Sequence, residues 1–261
     1  MAIQVSRSQR HHDRVVVLLE GALSELPLLS TASVAREMLE LPAATCWIGG
    51  PDSAGRALLA EMVRPARFDE LDIDELGVQL SRDRVRMVIL SQEAWRRHAG
   101  RLWRRLRSSS VYVCRRGVTR LHRLLCCADT PQTAEALLQR ISEVLPLQAL
   151  EVTVLHAEPP PPMWAQALSG MQGMTWPLPP EPAFGPIVPA VPSIVLGGTM
   201  VEAAVRRACA MLEPDVVVLG WHRHQAPLPD RWLHPTAWRL STRLSQDVVL
   251  GALSTDGAGV A

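Results

Sequence analysis

One pattern constrains this chain more than any other: short apolar strands alternate with amphipathic helices, and the series then starts again. Val15–Leu19 is a β-branched apolar run ending at Glu20-Gly21, as a fully buried parallel strand requires. Thr31 can cap a following helix, in which Val34, Ala35, Met38 and Leu39 recur at helical spacing before Pro42 ends it. Ala44–Ile48 reads as a second strand, closed by Gly49-Gly50, and a helical stretch near residues 54–63 leads into an acidic segment from Asp69 to Glu75. Val85–Leu90 is a strand, Trp95–Arg107 a helix and Val111–Cys114 a strand.

The order recurs from Leu121–Ala128, a strand that begins about 108 residues after the first. Pro131–Val144 is a helix, Leu150–His156 and Ser193–Leu196 are strands, and Thr199–Leu212 is a helix with Val201, Ala204, Val205, Ala208 and Met211 turned inward. Val216–Leu219, the helix Thr236–Leu244 and the strand Val248–Leu250 complete the series. Alternation of this kind predicts an α/β fold made of two tandem domains, each a mainly parallel sheet covered by helices. The expected boundaries are a tail at 1–12, a first domain at 13–117, a second at 118–255 and a tail at 256–261. An insertion at 158–192 breaks the correspondence, because its proline density favours extended backbone that cannot join a sheet. Its Trp164, Met171, Met174 and Trp176 suit either a surface loop or a docking arm.

Composition excludes several function classes. The chain has no lysine and no asparagine, so its 27 basic residues are all arginine. A P-loop, a protein kinase site and Schiff-base or pyridoxal-phosphate chemistry all lack their amine. A formal net charge of +1 gives no global field to recruit nucleic acid, so charge-driven binding must be local and no sequence-specific nucleic-acid partner is expected. Cys46, Cys114, Cys126, Cys127 and Cys209 lie in apolar runs without the paired spacing of a zinc site and read as buried small hydrophobes. The amino-terminal stretch lacks a signal-peptide core, and no later run is long and apolar enough for a membrane span, which gives a cytoplasmic expectation.

The second half carries residues of a known family. Leu124-Leu125-Cys126-Cys127-Ala128-Asp129-Thr130-Pro131 resembles the first strand, acidic residue and hydroxyl turn of universal stress proteins. Leu155-His156-Ala157 looks like the end of that family's second strand, and Asp215–Gly220 like its fourth strand entering the nucleotide loop. Ser245–Leu250 is similar to its closing strand, while the first half aligns by pattern alone. The resemblance implies that each half is a Rossmann-like (HUP-type) domain, a five-stranded, mainly parallel sheet with helices on both faces, and, in ATP-binding members, a Gly-x2-Gly-x9-Gly-Ser/Thr loop whose backbone amides approach phosphates. Gly220 fills the first position, Arg223 stands at the second, and Pro235 and Thr236 lie near the third and fourth. Proline has no N–H and arginine adds bulk, so the standard cradle is damaged. Thr236 keeps the hydroxyl, and Arg223 can meet a phosphate by charge, with His222 beside it. The implied ligand is ATP or another adenine nucleotide, held by Asp129, Thr130, Gly220, His222, Arg223 and Thr236. In the first half Glu20 takes the acidic position, and nucleotide binding is expected to be lost there.

Outside that region, Arg96, Arg97, Arg101, Arg104 and Arg105 cluster on the Trp95–Arg107 helix, where they form either a solvated face or a patch for an anionic partner. His222, His224 and His234 are close in sequence, but apart from Asp230 no cysteine or carboxylate stands by to complete a set, and no metal site is expected. Trp221, Trp232 and Trp238 crowd the nucleotide-loop region, in position to plug its crevice. No nucleophile elbow, HExxH helix or Ser/His/Asp set points to hydrolysis, and no enzymatic activity is expected. Each five-stranded sheet would expose its last strand, and unpaired apolar edges invite pairing. The resemblance implies that the two halves join there as an intramolecular pseudo-dimer, with further homodimerisation open. Two functional readings follow: a non-catalytic stress-response or regulatory protein with a ligand site in the second half, or an adaptor holding a protein or anionic partner through the insertion and the arginine helix.

Overall fold

The computed structural model describes residues 14–20, 25, 27–31, 34, 43–47, 68–70, 85–105, 109–118, 120–157, 191–196, 200–222 and 236–253, with side chains at all but 14, 43–47, 68–70, 103–105, 221–222 and 252. The strands are β1 (Arg14–Leu19), β2 (Ala43–Trp47), β3 (Phe68–Glu70), β4 (Val85–Ser91), β5 (Ser110–Cys114), β6 (Arg123–Ala128), β7 (Glu151–Ala157), β8 (Ser193–Leu196), β9 (Val216–His222) and β10 (Asp247–Leu253). The α-helices with described bounds are α1 (Gln92–Arg105), α2 (Pro131–Ser142), α3 (Val201–Leu212) and α4 (Thr236–Arg243). The domain tails and almost all of the 158–192 insertion lie outside the described residues.

All ten strands belong to one sheet, in the order β3-β2-β1-β4-β5-β10-β9-β6-β7-β8. Renumbered from β6, the second block repeats the wiring of the first. Neighbouring strands are parallel throughout, except where β10 meets β5 antiparallel with Val248 opposite Val113, Val249 opposite Tyr112 and Leu250 opposite Val111. The sheets of the two blocks are thus continuous, joined at the edge the sequence singles out, because the apolar last strand of each block satisfies the other's free edge. β3 is an addition to the sequence reading. Asp69 and Glu70, taken there as an acidic segment, belong to an edge strand, a position that tolerates charge because one side stays unpaired.

Successive strand residues point to opposite faces, and the core divides accordingly. Val16, Leu18, Val88, Leu90, Val217, Leu219, Val248 and Leu250 face one layer, formed by α1, α4 and α3. Val15, Val17, Leu19, Met87, Ile89, Val216, Val218 and Val249 face the other, where α2 lies. Helix α3 corrects one inward assignment. Ala204, Val205, Ala208 and Cys209 are buried, whereas Met211 is 58% exposed, because the helix is in its last turn and rotates that position off the sheet.

The two blocks are stitched by polar groups as well as by strand pairing. Trp95 on α1 is fully buried, donates from Nε1 to Ser241 Oγ on α4 at 2.8 Å and packs tilted against Trp238, with ring centres 5.5 Å apart. Carbonyls at the end of α4 have no partner within their own helix, and first-block donors take them: Gln92 Nε2 reaches Ser241 O and Leu244 O, Arg96 reaches Thr242 O, and Arg115 reaches Leu244 O. Beside them the buried Asp247 carboxylate accepts from the Arg115 and Arg116 backbone N–H groups, both at 2.8 Å, and from the Tyr112 hydroxyl at 3.0 Å. The chain leaves this junction through Gly117, whose φ of +73° favours glycine and whose absent Cβ would lie 2.6 Å from Pro27.

Candidate functional site

In a parallel sheet the connections leave a crevice where neighbouring strands send their chains to opposite sides. In the second block that point lies between β6 and β9, flanked by β7. A cavity of about 350 Å³ opens there, within the range of small-molecule sites. Leu155, Val201, Val205, Leu219 and Leu240 form apolar walls, and Asp129, Thr133 and Thr236 bring polar groups to it.

Each polar group is placed by a local rule. Asp129 follows directly from β6 and remains exposed at the rim. Thr130 is the N-cap of α2, with extended backbone and Pro131 in the first turn, and its hydroxyl accepts from the Thr133 N–H at 3.1 Å. Thr130 is not among the residues that line the cavity, and Thr133, one turn on, lines it. Thr133 could have been anticipated, since it faces the cap residue from the first turn of the helix. Thr236 begins α4 and lines the cavity as expected.

Gly220 also lines the cavity, yet its lack of a side chain has a packing cause. A Cβ there would meet Leu253 Cδ1 at 2.8 Å. Its cross-strand partner Gly251 would meet Leu137 Cδ1 at 2.5 Å and Ile141 Cδ1 at 3.4 Å. Gly251 therefore lets α2 settle closely onto β10, while Gly220 leaves room for the Leu253 side chain of β10, whatever the loop beyond β9 binds. His222 ends β9 with its side chain outside the described residues, as are Arg223, His224, Trp232, His234 and Pro235 entirely. Trp238 is not among the lining residues; it turns to Trp95.

Cys127 sits in the wall, and burial raises its thiol well above the ordinary value, with smaller contributions from Cys126 and Cys209. The wall thus presents a neutral thiol at physiological pH. Cys114 and Cys126 are pushed up to about 12 and Cys209 to about 11, chiefly by burial, in keeping with small hydrophobes. Cys46 has no described side chain. Among the described residues no group of His, Cys, Asp and Glu is arranged to hold a metal, and no helix is long and apolar enough to cross a membrane.

At the corresponding strand end of the first block the arrangement differs. The Glu20 carboxylate accepts from His98 Nε2 at 2.7 Å and pairs with Arg97 at 3.0 Å, both from α1. The Glu20 backbone N–H is taken by the Glu25 carboxylate at 2.9 Å. Of the arginine cluster, Arg96 is spent on the α4 carbonyl, Arg97 on Glu20 and Glu93, and Arg101 is exposed without an ion-pair partner among the described residues. Arg104 and Arg105 lie in α1 with side chains outside the description.

No protein-family model matches the sequence. No curated protein matches it either. Solved structures do resemble the fold. A protein of unknown function, PA1789 from Pseudomonas aeruginosa PAO1, is 13% identical with a TM-score of 0.59, over 94% of this chain and 93% of that one. A universal stress protein from Archaeoglobus fulgidus DSM 4304 is 11% identical with a TM-score of 0.57, over 93% of this chain and 97% of its own. At such identities the likeness establishes architecture: this is an α/β chain whose sheet and helical layers are those found in a universal stress protein.

Proposed function

We propose that the chain is a universal-stress-protein-like, non-catalytic stress-response or regulatory protein of the cytoplasm, whose second half binds a small ligand, in the first instance an adenine nucleotide. The halves, at 13–117 and 118–255, are read as tandem copies joined as an intramolecular pseudo-dimer, a reading supported by the repeated strand order and the antiparallel β5–β10 pairing. The observation that carries the ligand assignment is the cavity beyond β6 and β9, which brings Asp129, Gly220 and Thr236 together from three distant segments. The internal ion pairs of Glu20 support the expectation that the first half no longer binds.

The test is thermal stability against ATP concentration, because a ligand that binds only the folded state raises the melting temperature with dose. The upshift is expected to disappear in Asp129→Ala and in Ala157→Phe, which fills the cavity from its wall. Absence of any upshift at high ATP would remove the nucleotide and leave the adaptor reading, and release of phosphate or AMP during incubation would overturn the non-catalytic assignment.

A further inference from the structure

Charge is not spread evenly over this protein. Helices α1, α4 and α3 pack side by side on one face and carry nine arginines against two glutamates, Glu93 and Glu202. Helix α2, on the other face, carries one arginine and one glutamate. The near-zero net charge of the chain therefore hides a strongly basic layer. Arg96, Arg97, Arg101, Arg206, Arg207, Arg239 and Arg243 are all exposed.

Some of this charge has structural work. Glu202 is shared by Arg239 at 2.8 Å and Arg243 at 3.7 Å, which ties α3 to α4, and Arg96 and Arg97 are engaged as described. Arg101, Arg206 and Arg207 have no ion-pair partner among the described residues, and Arg97 and Arg243 keep 57% and 60% of their side chains exposed. Arginines without a paired carboxylate on one face give it a positive potential, which an external anion meets favourably.

We propose that the α1–α4–α3 layer binds the phosphate backbone of nucleic acid without reading its sequence. Three packed helices span roughly 20 Å across their axes, enough to track several phosphates along a strand. Guanidinium forks match phosphate oxygens in pairs, and every cation here is a guanidinium. Base stacking is not offered by the layer's described aromatics, since Trp95 is buried and Trp238 packs against it. A lipid surface fits less well, because membrane docking of a helix also inserts an apolar face. Of the large exposed apolar residues described, Val195, Met200 and Met211, only Met211 lies within one of these helices.

The experiment measures anisotropy of a short fluorescein-labelled RNA and a labelled DNA duplex over a series of salt concentrations, with the full chain. Arg101→Gln/Arg206→Gln/Arg207→Gln removes three positive charges from the layer. Gln132→Glu/Ala136→Glu/Gln139→Glu changes net charge equally on the exposed side of α2. Both nucleic acids are expected to bind at low salt, with little dependence on sequence. For the RNA, the slope of log affinity against log salt should fall by about 2 in the arginine variant, since each single-strand phosphate contact contributes about 0.7. The α2 variant should keep the wild-type slope, with circular dichroism verifying both folds. No binding at low salt, equal loss in the two variants, or binding to phosphatidylserine vesicles or polyglutamate in preference to RNA would each overturn the assignment.

Discussion

Asp247 gives the sharpest test of how the two halves are held together. Its carboxylate is 1% exposed and satisfies three donors from the first block: the Arg115 and Arg116 N–H groups through Oδ1 and the Tyr112 hydroxyl through Oδ2. Asp247→Ala leaves all three without an acceptor. An orphaned buried donor costs about 1–3 kcal/mol; the part-buried backbone groups belong near the low end and the buried phenol near the middle, for a loss of about 4 kcal/mol. Asp247→Asn keeps one oxygen for the two backbone donors and should cost about half as much. Tyr112→Phe removes a single hydrogen bond and should cost about 1 kcal/mol. Urea unfolding at neutral pH measures the series, with a constant slope marking a change in stability alone. The chain has one tyrosine, so its ultraviolet titration gives a second readout. Burial first, then the charge of Asp247, raises Tyr112 well above the ordinary value. Its ionisation should begin at lower pH in Asp247→Asn while staying above that of an exposed phenol. A loss under about 1 kcal/mol in Asp247→Ala, or a Tyr112→Phe loss as large, would refute the argument that the carboxylate organises this junction.

Two more expectations concern the buried thiols and the glycine pair. Cys114 and Cys126 are raised from 9.0 to about 12, and Cys209 to about 11, so unfolded thiols ionise while folded ones keep their protons. Stability is then fully present below pH 9 and lost as pH rises from there toward 12, more gently in Cys126→Val; a urea midpoint constant across that window would contradict it. Gly251→Ala forces a Cβ against Leu137 and should cost about 1–3 kcal/mol by overpacking, partly recovered by adding Leu137→Val. Equal losses with and without the second change would show that α2 does not rest on that position.

The legible parts of the site were those set by local chemistry. Thr130 and Pro131 announce a helix start after a strand, and the structure places Asp129 at that join and Thr236 at the head of α4. Thr133 was not singled out, because in sequence it is only a first-turn helix residue and its place on the cavity depends on how α2 packs. The walls from Val201, Val205 and Leu240 read in sequence as ordinary helix interior, and only the gap between packed helices turns them into a lining.

Period and composition alone determine the alternation of strand and helix, its recurrence in the second half and the apolar character of β5 and β10, because strand and helix periodicities are properties of neighbouring residues. Tertiary structure decided the rest: that ten strands share one sheet, that first-block donors cap α4, that Gly251 makes room for α2, and that arginines from three separated helices lie on one face of the sheet. Those outcomes depend on contacts between residues more than a hundred positions apart, such as Gln92 with Ser241 and Tyr112 with Asp247, and no local pattern encodes which distant partner will arrive.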